Sequence, residues 1–219
     1  MNTKILLSLS VIAALAAIAI GGTVAYFSDT ETSTENTFSA GTLNLQVGDS
    51  DSTLVKIELS NMKPGDTGNA ANWLVKNTGS ISGKLTVGVG AITNNENGCI
   101  EPEGDTSCNT TDGELGANLK VAFWMDVDKS GNWSNGDYYL TSGGNKTPWA
   151  TGDGTTLPSA AYGILNSYNG KTWTDVQTNI ANSSEAGNFR VEYDLPGGTG
   201  NIIQSDSSVF DITFTLNQQ

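Results

Sequence analysis

Four stretches of the chain alternate between apolar and polar positions. Leu43, Leu45 and Val47 alternate with Thr42, Asn44 and Gln46, and Val55, Ile57 and Leu59 with Lys56 and Glu58. Towards the C-terminus, Phe189, Val191, Tyr193 and Leu195 alternate with Arg190, Glu192 and Asp194, and Phe210, Ile212, Phe214 and Leu216 with Asp211, Thr213 and Thr215. A period of two sends successive side chains to opposite faces, so each stretch predicts a strand with one buried face. Less regular apolar runs at 73–75, 85–92, 119–125 and 138–140 predict further strands. Between them lie Lys63-Pro64-Gly65-Asp66, Asn77-Thr78-Gly79-Ser80 and Pro196-Gly197-Gly198. Pro followed by Gly at the two central positions suits a type II turn, where Gly accepts positive φ. A short helix or turn is expected near 159–166. Roughly eight strands, with no helical run to cover a parallel sheet, predict an all-β chain. The economical arrangement is an antiparallel β-sandwich, two sheets face to face in a jelly roll. No internal repeat and no second domain is visible.

The N-terminus departs from this pattern. An apolar-to-small run over 5–20 follows Lys4, the only charge among the first 25 residues. A membrane span needs about 20 residues, so the run is short for an anchor helix and suits the core of a cleavable signal peptide. Thr23 and Ala25 match the −3 and −1 positions of a cleavage site, which places the cut between Ala25 and Tyr26. The other reading is an uncleaved anchor; length and flanks favour cleavage. The expected organisation is a signal peptide at 1–25, an extended polar segment at 26–39 and a sandwich domain at 40–219.

Composition narrows the function. Asp and Glu number 23 against 10 Lys and Arg, a formal net charge of −13. Phosphate binding needs the opposite sign, so nucleic acid is not an expected partner. An acidic surface suits salty water or the collection of cations. The 26 Gly, with abundant Asn, Thr and Ser, favour polar turns over helices. The two cysteines, Cys99 and Cys108, lie in one Gly- and Asn-rich stretch. Behind a secretory signal, they are read as a disulfide clipping a short loop. The chain has no His. It therefore has no H-E-x-x-H motif and no Ser-His-Asp arrangement, and no catalytic residue is assigned.

One stretch carries metal chemistry. In Asp126-Val127-Asp128-Lys129-Ser130-Gly131-Asn132-Trp133-Ser134-Asn135-Gly136-Asp137, Asp126, Asp128 and Ser130 occupy alternate positions before Gly131, and Asp137 is twelfth. This approaches the D-x-[DN]-x-[DN]-G-x₅-E calcium loop. The candidate ligands are Asp126, Asp128, Ser130, Asn132 and Asp137, with Ca²⁺ in a structural role. Ser in place of a third acid, and Asp in place of the bidentate Glu, predict weak to moderate affinity. The flanking runs read as strands, so the loop is not a helical EF-hand; an ordinary acidic hairpin is the competing reading. N-x-S/T sequons occur at Asn109, Asn132, Asn145 and Asn182, and sugar on Asn132 would oppose metal binding.

The segment Gly21-Gly22-Thr23-Val24-Ala25-Tyr26-Phe27-Ser28-Asp29, running into Thr37-Phe38-Ser39-Ala40-Gly41-Thr42-Leu43-Asn44-Leu45, resembles the start of the TasA and camelysin family. The stretch 57–80, IELSNMKPGDTGNAANWLVKNTGS, resembles the same family's "LSNLKPGD … NNGS" block, and the strands at 189–195 and 209–216 also suit it. The likeness touches both ends of the domain; 94–184 matches only loosely. The resemblance implies a jelly-roll subunit processed by a SipW-type signal peptidase and built into biofilm-matrix fibres. Archaeal bundling pilins are similar to this family and assemble by donor-strand complementation. It follows that the chain would meet the membrane only during export, reside in a cell-surface filament, and have itself as partner in a head-to-tail homopolymer. The donor segment would include Tyr26, Phe27, Asp29 and Phe38; a disordered tail is the plainer reading. Camelysins have been classed as metalloproteases, against which the lack of His weighs. A monomeric adhesin or glycan-binding module is the other alternative, since jelly rolls host lectins.

Overall fold

In the computed structural model, which describes Thr3 and residues 41–98 and 113–218, the alternating stretches form strands with the expected faces inward. β1 (Leu45–Val47) buries Leu45 and Val47, and β2 (Leu54–Ser60) buries Ile57 and Leu59. β3 (Thr67–Asn77) and β4 (Gly83–Val89) follow, then the short β5 (Thr93–Asn95). A single helical turn, α1 (Leu115–Asn118), leads into β6 (Lys120–Asp126). β7 (Tyr138–Leu140), β8 (Lys146–Pro148), β9 (Gly163–Ile164) and β10 (Thr172–Ile180) precede the two long C-terminal strands, β11 (Ser184–Asp194) and β12 (Ser207–Gln218). The helix or turn expected near 159–166 is a pair of short 3-10 segments, Ser159–Ala161 and Leu165–Tyr168.

The strands form two antiparallel sheets, ordered β1-β3-β11-β6-β7-β8 and β10-β4-β12-β2, with β9 on β6 and β5 on β12. The runs β3-β11-β6-β7 and β10-β4-β12-β2 give the two four-stranded layers of a jelly roll, whose first and last long strands, β2 and β12, pair with each other. Between the layers, Phe123 meets Tyr168 at 4.9 Å and Phe210 at 6.1 Å, and Phe189 meets Phe214 edge-on at 5.1 Å. Each fully buried aromatic of this kind contributes roughly 2–3 kcal/mol by leaving water.

Two departures from strict alternation have physical causes. β6 is buried on both faces: Val121, Phe123 and Met125 join the main core, while Ala122 and Trp124 join Trp133, Tyr139 and Ala161 in a second cluster. A strand sandwiched in this way reads as a continuous apolar run. β10 was not expected, because its buried residues, Trp173, Val176 and Ile180, are spaced by three and four. Register shifts against β4 and a positive φ of 52° at Asp175 produce that spacing.

The turn at 63–66 bears out its chemistry. Asp66 N donates to Lys63 O at 3.0 Å, and Gly65 takes φ +91°, as a type II turn requires. At Pro196-Gly197-Gly198, by contrast, Thr199 N donates to Pro196 O at 3.0 Å and neither Gly takes positive φ, so that turn is not type II. Gly79 serves close approach instead: a Cβ there would lie 2.3 Å from Thr42 O. Buried Asn77 donates to the carbonyls of Ile81, Ile180 and Ala181, tying the β3–β4 corner to the end of β10.

Candidate metal centre

The acidic loop 126–137 joins β6 to β7 at the edge of the second aromatic cluster. Its local sequence dictates its shape. Lys129, Gly131 and Gly136 take φ of 61°, 78° and 99°, left-handed conformations that bend the loop sharply at each position. Trp133 is buried edge-on against Trp124 at 6.1 Å, and its Nε1 donates to Asp153 Oδ2 at 3.2 Å. This anchor holds the middle of the loop against the outer face of β6.

The carboxylates turn towards one another. Asp126 and Asp137 are fully buried and Asp128 is exposed, yet one oxygen from each lies within 4.8 Å of the other two. Asp126 Oδ2 accepts from Gly131 N at 2.9 Å and Asp128 Oδ1 from Ser130 N at 2.9 Å. Asp137 accepts from Val127 N and Ser134 N, both at 2.8 Å. The Ser134 hydroxyl bridges Asp128 Oδ2 and Asp137 Oδ2, at 2.8 and 3.0 Å. Ser130 and Asn132 are placed differently. Asn132 N donates to Ser130 Oγ at 3.2 Å, and the Asn132 amide reaches only Ser130 O, closing a small turn on the exposed side.

Burial sets the electrostatics. Desolvation holds the Asp126 carboxyl above its usual range, opposed by the Gly131 amide. Asp128, in water, is lowered to about 2 by the Ser130 amide and by the Ser130 and Ser134 hydroxyls. Arg190 supplies a cation that the alternation of β11 had placed among ordinary outward residues. Register sets Arg190 opposite Trp124; its guanidinium lies 5.0 Å from that ring and 3.4 Å from Asp126 Oδ2. Nothing in the local sequence around either residue marks a pairing across sheet neighbours.

Buried Asp126 Oδ1 accepts no hydrogen bond among the described residues, so the cluster retains a free inward lone pair. Three carboxylates with hydroxyl and carbonyl oxygens near at hand form an all-oxygen donor set, which fits a hard ion such as Ca²⁺. Zinc would need imidazole or thiolate, and no His exists in the chain.

The pair Cys99 and Cys108, the cleavage site at Ala25 and Tyr26, and the donor residues Tyr26, Phe27, Asp29 and Phe38 lie outside the described residues. Among the described residues no helix is long and apolar enough to cross a membrane. No curated protein matches the chain. One family model does, and it spans both the jelly roll and the N-terminal stretch before it. That model is described as camelysin metallo-endopeptidase and covers residues 2–218, and on that extent the chain belongs to the camelysin family.

Proposed function

We propose that the chain is a structural subunit of an extracellular fibre, polymerising by donor-strand complementation. The observation that carries this reading is the outer edge of β3. β1 pairs with that edge only over Val75, Lys76 and Asn77, and Gly48 N donates to Leu74 O just beyond. Residues 67–73 have no strand partner on that side among the described residues, although β11 pairs with β3 along its other side. The open stretch reads TGNAANW, without charge or proline. The other long edge strands are β2, which exposes Lys56 and Glu58, and β10, which carries register shifts and exposes Asp175. Charges and irregularities of that kind discourage edge-to-edge pairing, so β2 and β10 are guarded and β3 is not. An extended segment laid along 67–73 would continue the line of β1 and pair the free N–H and C=O groups.

The segment 26–39, freed by a SipW-type peptidase cutting after Ala25, is long enough to cover seven residues at about 3.3 Å each. Because donor and acceptor are different surfaces, the contact propagates into an open filament rather than closing as a dimer. The loop 126–137 would take a structural Ca²⁺, and Cys99 and Cys108 a disulfide. A peptidase role is disfavoured by the donor chemistry: a zinc hydrolase draws on His, which is lacking, and needs a base beside the metal. Sugar stacking is disfavoured by the placement of the tryptophans. Trp124, Trp133 and Trp173 are buried, and Trp73 and Trp149 are half-buried against the apolar clusters.

The test is deletion of 26–37. The truncated chain should be secreted as a soluble monomer that builds no filaments under the electron microscope, and Thr32→Pro should weaken assembly by removing one ladder donor. Normal filaments from the truncated chain would overturn the donor-strand mechanism.

A further inference from the structure

A second carboxylate cluster lies beyond the other end of β6, where the chain leaves β5 and returns at α1. Glu96 follows β5, Glu114 precedes α1 and Asp206 precedes β12, yet one oxygen from each lies within 4.8 Å of the other two. Asp206 is 1% exposed. Its Oδ2 accepts from Leu115 N at 2.9 Å, while its Oδ1 is buried and accepts nothing among the described residues. Glu96 is arranged similarly: one carboxylate oxygen accepts from Gly98 N, and Oε2 is buried without a partner. Neither Glu96 nor Asp206 forms an ion pair among the described residues. Burial, reinforced by the charges of Glu96 and Glu114, pushes the Asp206 carboxyl up to about 7.

The surroundings hold the three stems in place. Asn95 and Asn97 both donate to Ser207 Oγ, at 3.3 and 3.2 Å, and Asn97 also donates to Ser205 O at 2.8 Å. Gly113 packs so closely that a Cβ would lie 2.9 Å from Asp206 Cγ and 2.7 Å from Asn95 O. The carboxylates are thus pressed together by the backbone rather than left to splay into water. Buried like charges are costly unless something of opposite sign sits among them.

We propose that Glu96, Glu114 and Asp206 bind a divalent hard cation of the Ca²⁺ class, with the unpartnered oxygens of Asp206 and Glu96 as ligands. All three donors are carboxylates, which excludes a preference for soft metals. Their spacing falls within the diameter of a calcium shell, about 4.6–5.2 Å for bonds of 2.3–2.6 Å, and water would complete the six to eight ligands. The cation would fasten both stems of the 99–112 connection to the lead-in of β12, the strand that joins the two halves of its sheet. This site shares no residue with the loop 126–137 and does not depend on fibre assembly.

The test is Ca²⁺ titration of the metal-stripped chain by equilibrium dialysis, with far-UV circular dichroism to confirm folding. Asp206→Asn should bind one Ca²⁺ fewer per chain than wild type and lose part of the calcium-dependent rise in melting temperature. Asp128→Ala should leave that ion in place. Glu96→Gln, at a half-buried stem position, should weaken the same ion at least tenfold and keeps the test valid if Asp206→Asn fails to fold. Unchanged stoichiometry and affinity in a folded Asp206→Asn or Glu96→Gln chain would overturn the proposal. So would calcium uptake by wild type that Asp128→Ala abolishes entirely.

Discussion

The two acidic clusters of this jelly roll each bring three carboxylates within 4.8 Å, and they are assembled and neutralised in different ways. Asp126, Asp128 and Asp137 come from one twelve-residue loop, whose backbone N–H groups turn inward to meet them. Arg190, from the neighbouring strand, adds a counter-charge against Asp126. Glu96, Glu114 and Asp206 come from three distant stretches, and Asp206 meets backbone amides but no ion pair among the described residues. Closeness of acids alone does not define a cation site. What matters is how much negative charge the protein leaves unanswered, and the loop answers more of its own than the β5–β12 cluster does.

The largest expected effect comes from removing the cation that β11 lends to the loop. Arg190→Met should cost about 3 kcal/mol in metal-free protein, because it strands a buried carboxylate without its partner. Urea denaturation would measure it, and added Ca²⁺ should return part of the loss by substituting for the guanidinium. An unchanged midpoint would mean that Arg190 is not what neutralises Asp126, and the contrast between the clusters would fall.

A smaller effect separates the clusters by pH. Asp206 protonates at about 7 in the folded chain, whereas an unfolded Asp protonates near 4. Between these values the folded state holds the extra proton, so metal-free stability should rise as pH falls from about 7 to about 4. Melting temperatures across that window should show the rise, and Asp206→Asn should flatten it. A flat wild-type profile without metal would place the Asp206 carboxylate outside the influence of its neighbours.

The smallest effect concerns Asp128, whose carboxyl is lowered to about 2. Its contribution is present above about 4 and fades as pH falls towards 2, the opposite sense to Asp206. Asp128→Ala should remove that acid-side loss while changing neutral stability little, since water screens an exposed group. The two windows do not overlap, so one pH titration of both variants distinguishes the clusters.

Much of the fold was legible along the chain. β2, β11 and β12 each bury one face more deeply than the other, and that requirement writes a period of two into the residues. Legibility failed where a second demand acted on the same strand. β10 carries bulges that break the period, and β6 is covered on both faces, so its alternation vanishes into a run of apolar residues. The loop 126–137 was legible because its acids, its Gly and its flanking strands are contiguous. Arg190 was not, because an alternating polar position looks the same whether it faces water or a buried carboxylate across the sheet.

The all-β class, the Pro-Gly turn at 63–66, the acidic loop and the lack of imidazole chemistry are all readable along the chain, because they depend on residues near one another or on composition. The folded arrangement alone brings Arg190 to Asp126, leaves the outer edge of β3 over 67–73 uncharged and without a strand partner among the described residues, and draws Glu96, Glu114 and Asp206 together. Those facts depend on which strands become neighbours, and in a jelly roll neighbours are distant in sequence: β2 pairs with β12, and β3 with β11. Local patterns record which face of a strand is buried, because burial acts on each side chain singly. They carry no record of what lies across the sheet, because that contact exists only once the whole chain has closed on itself.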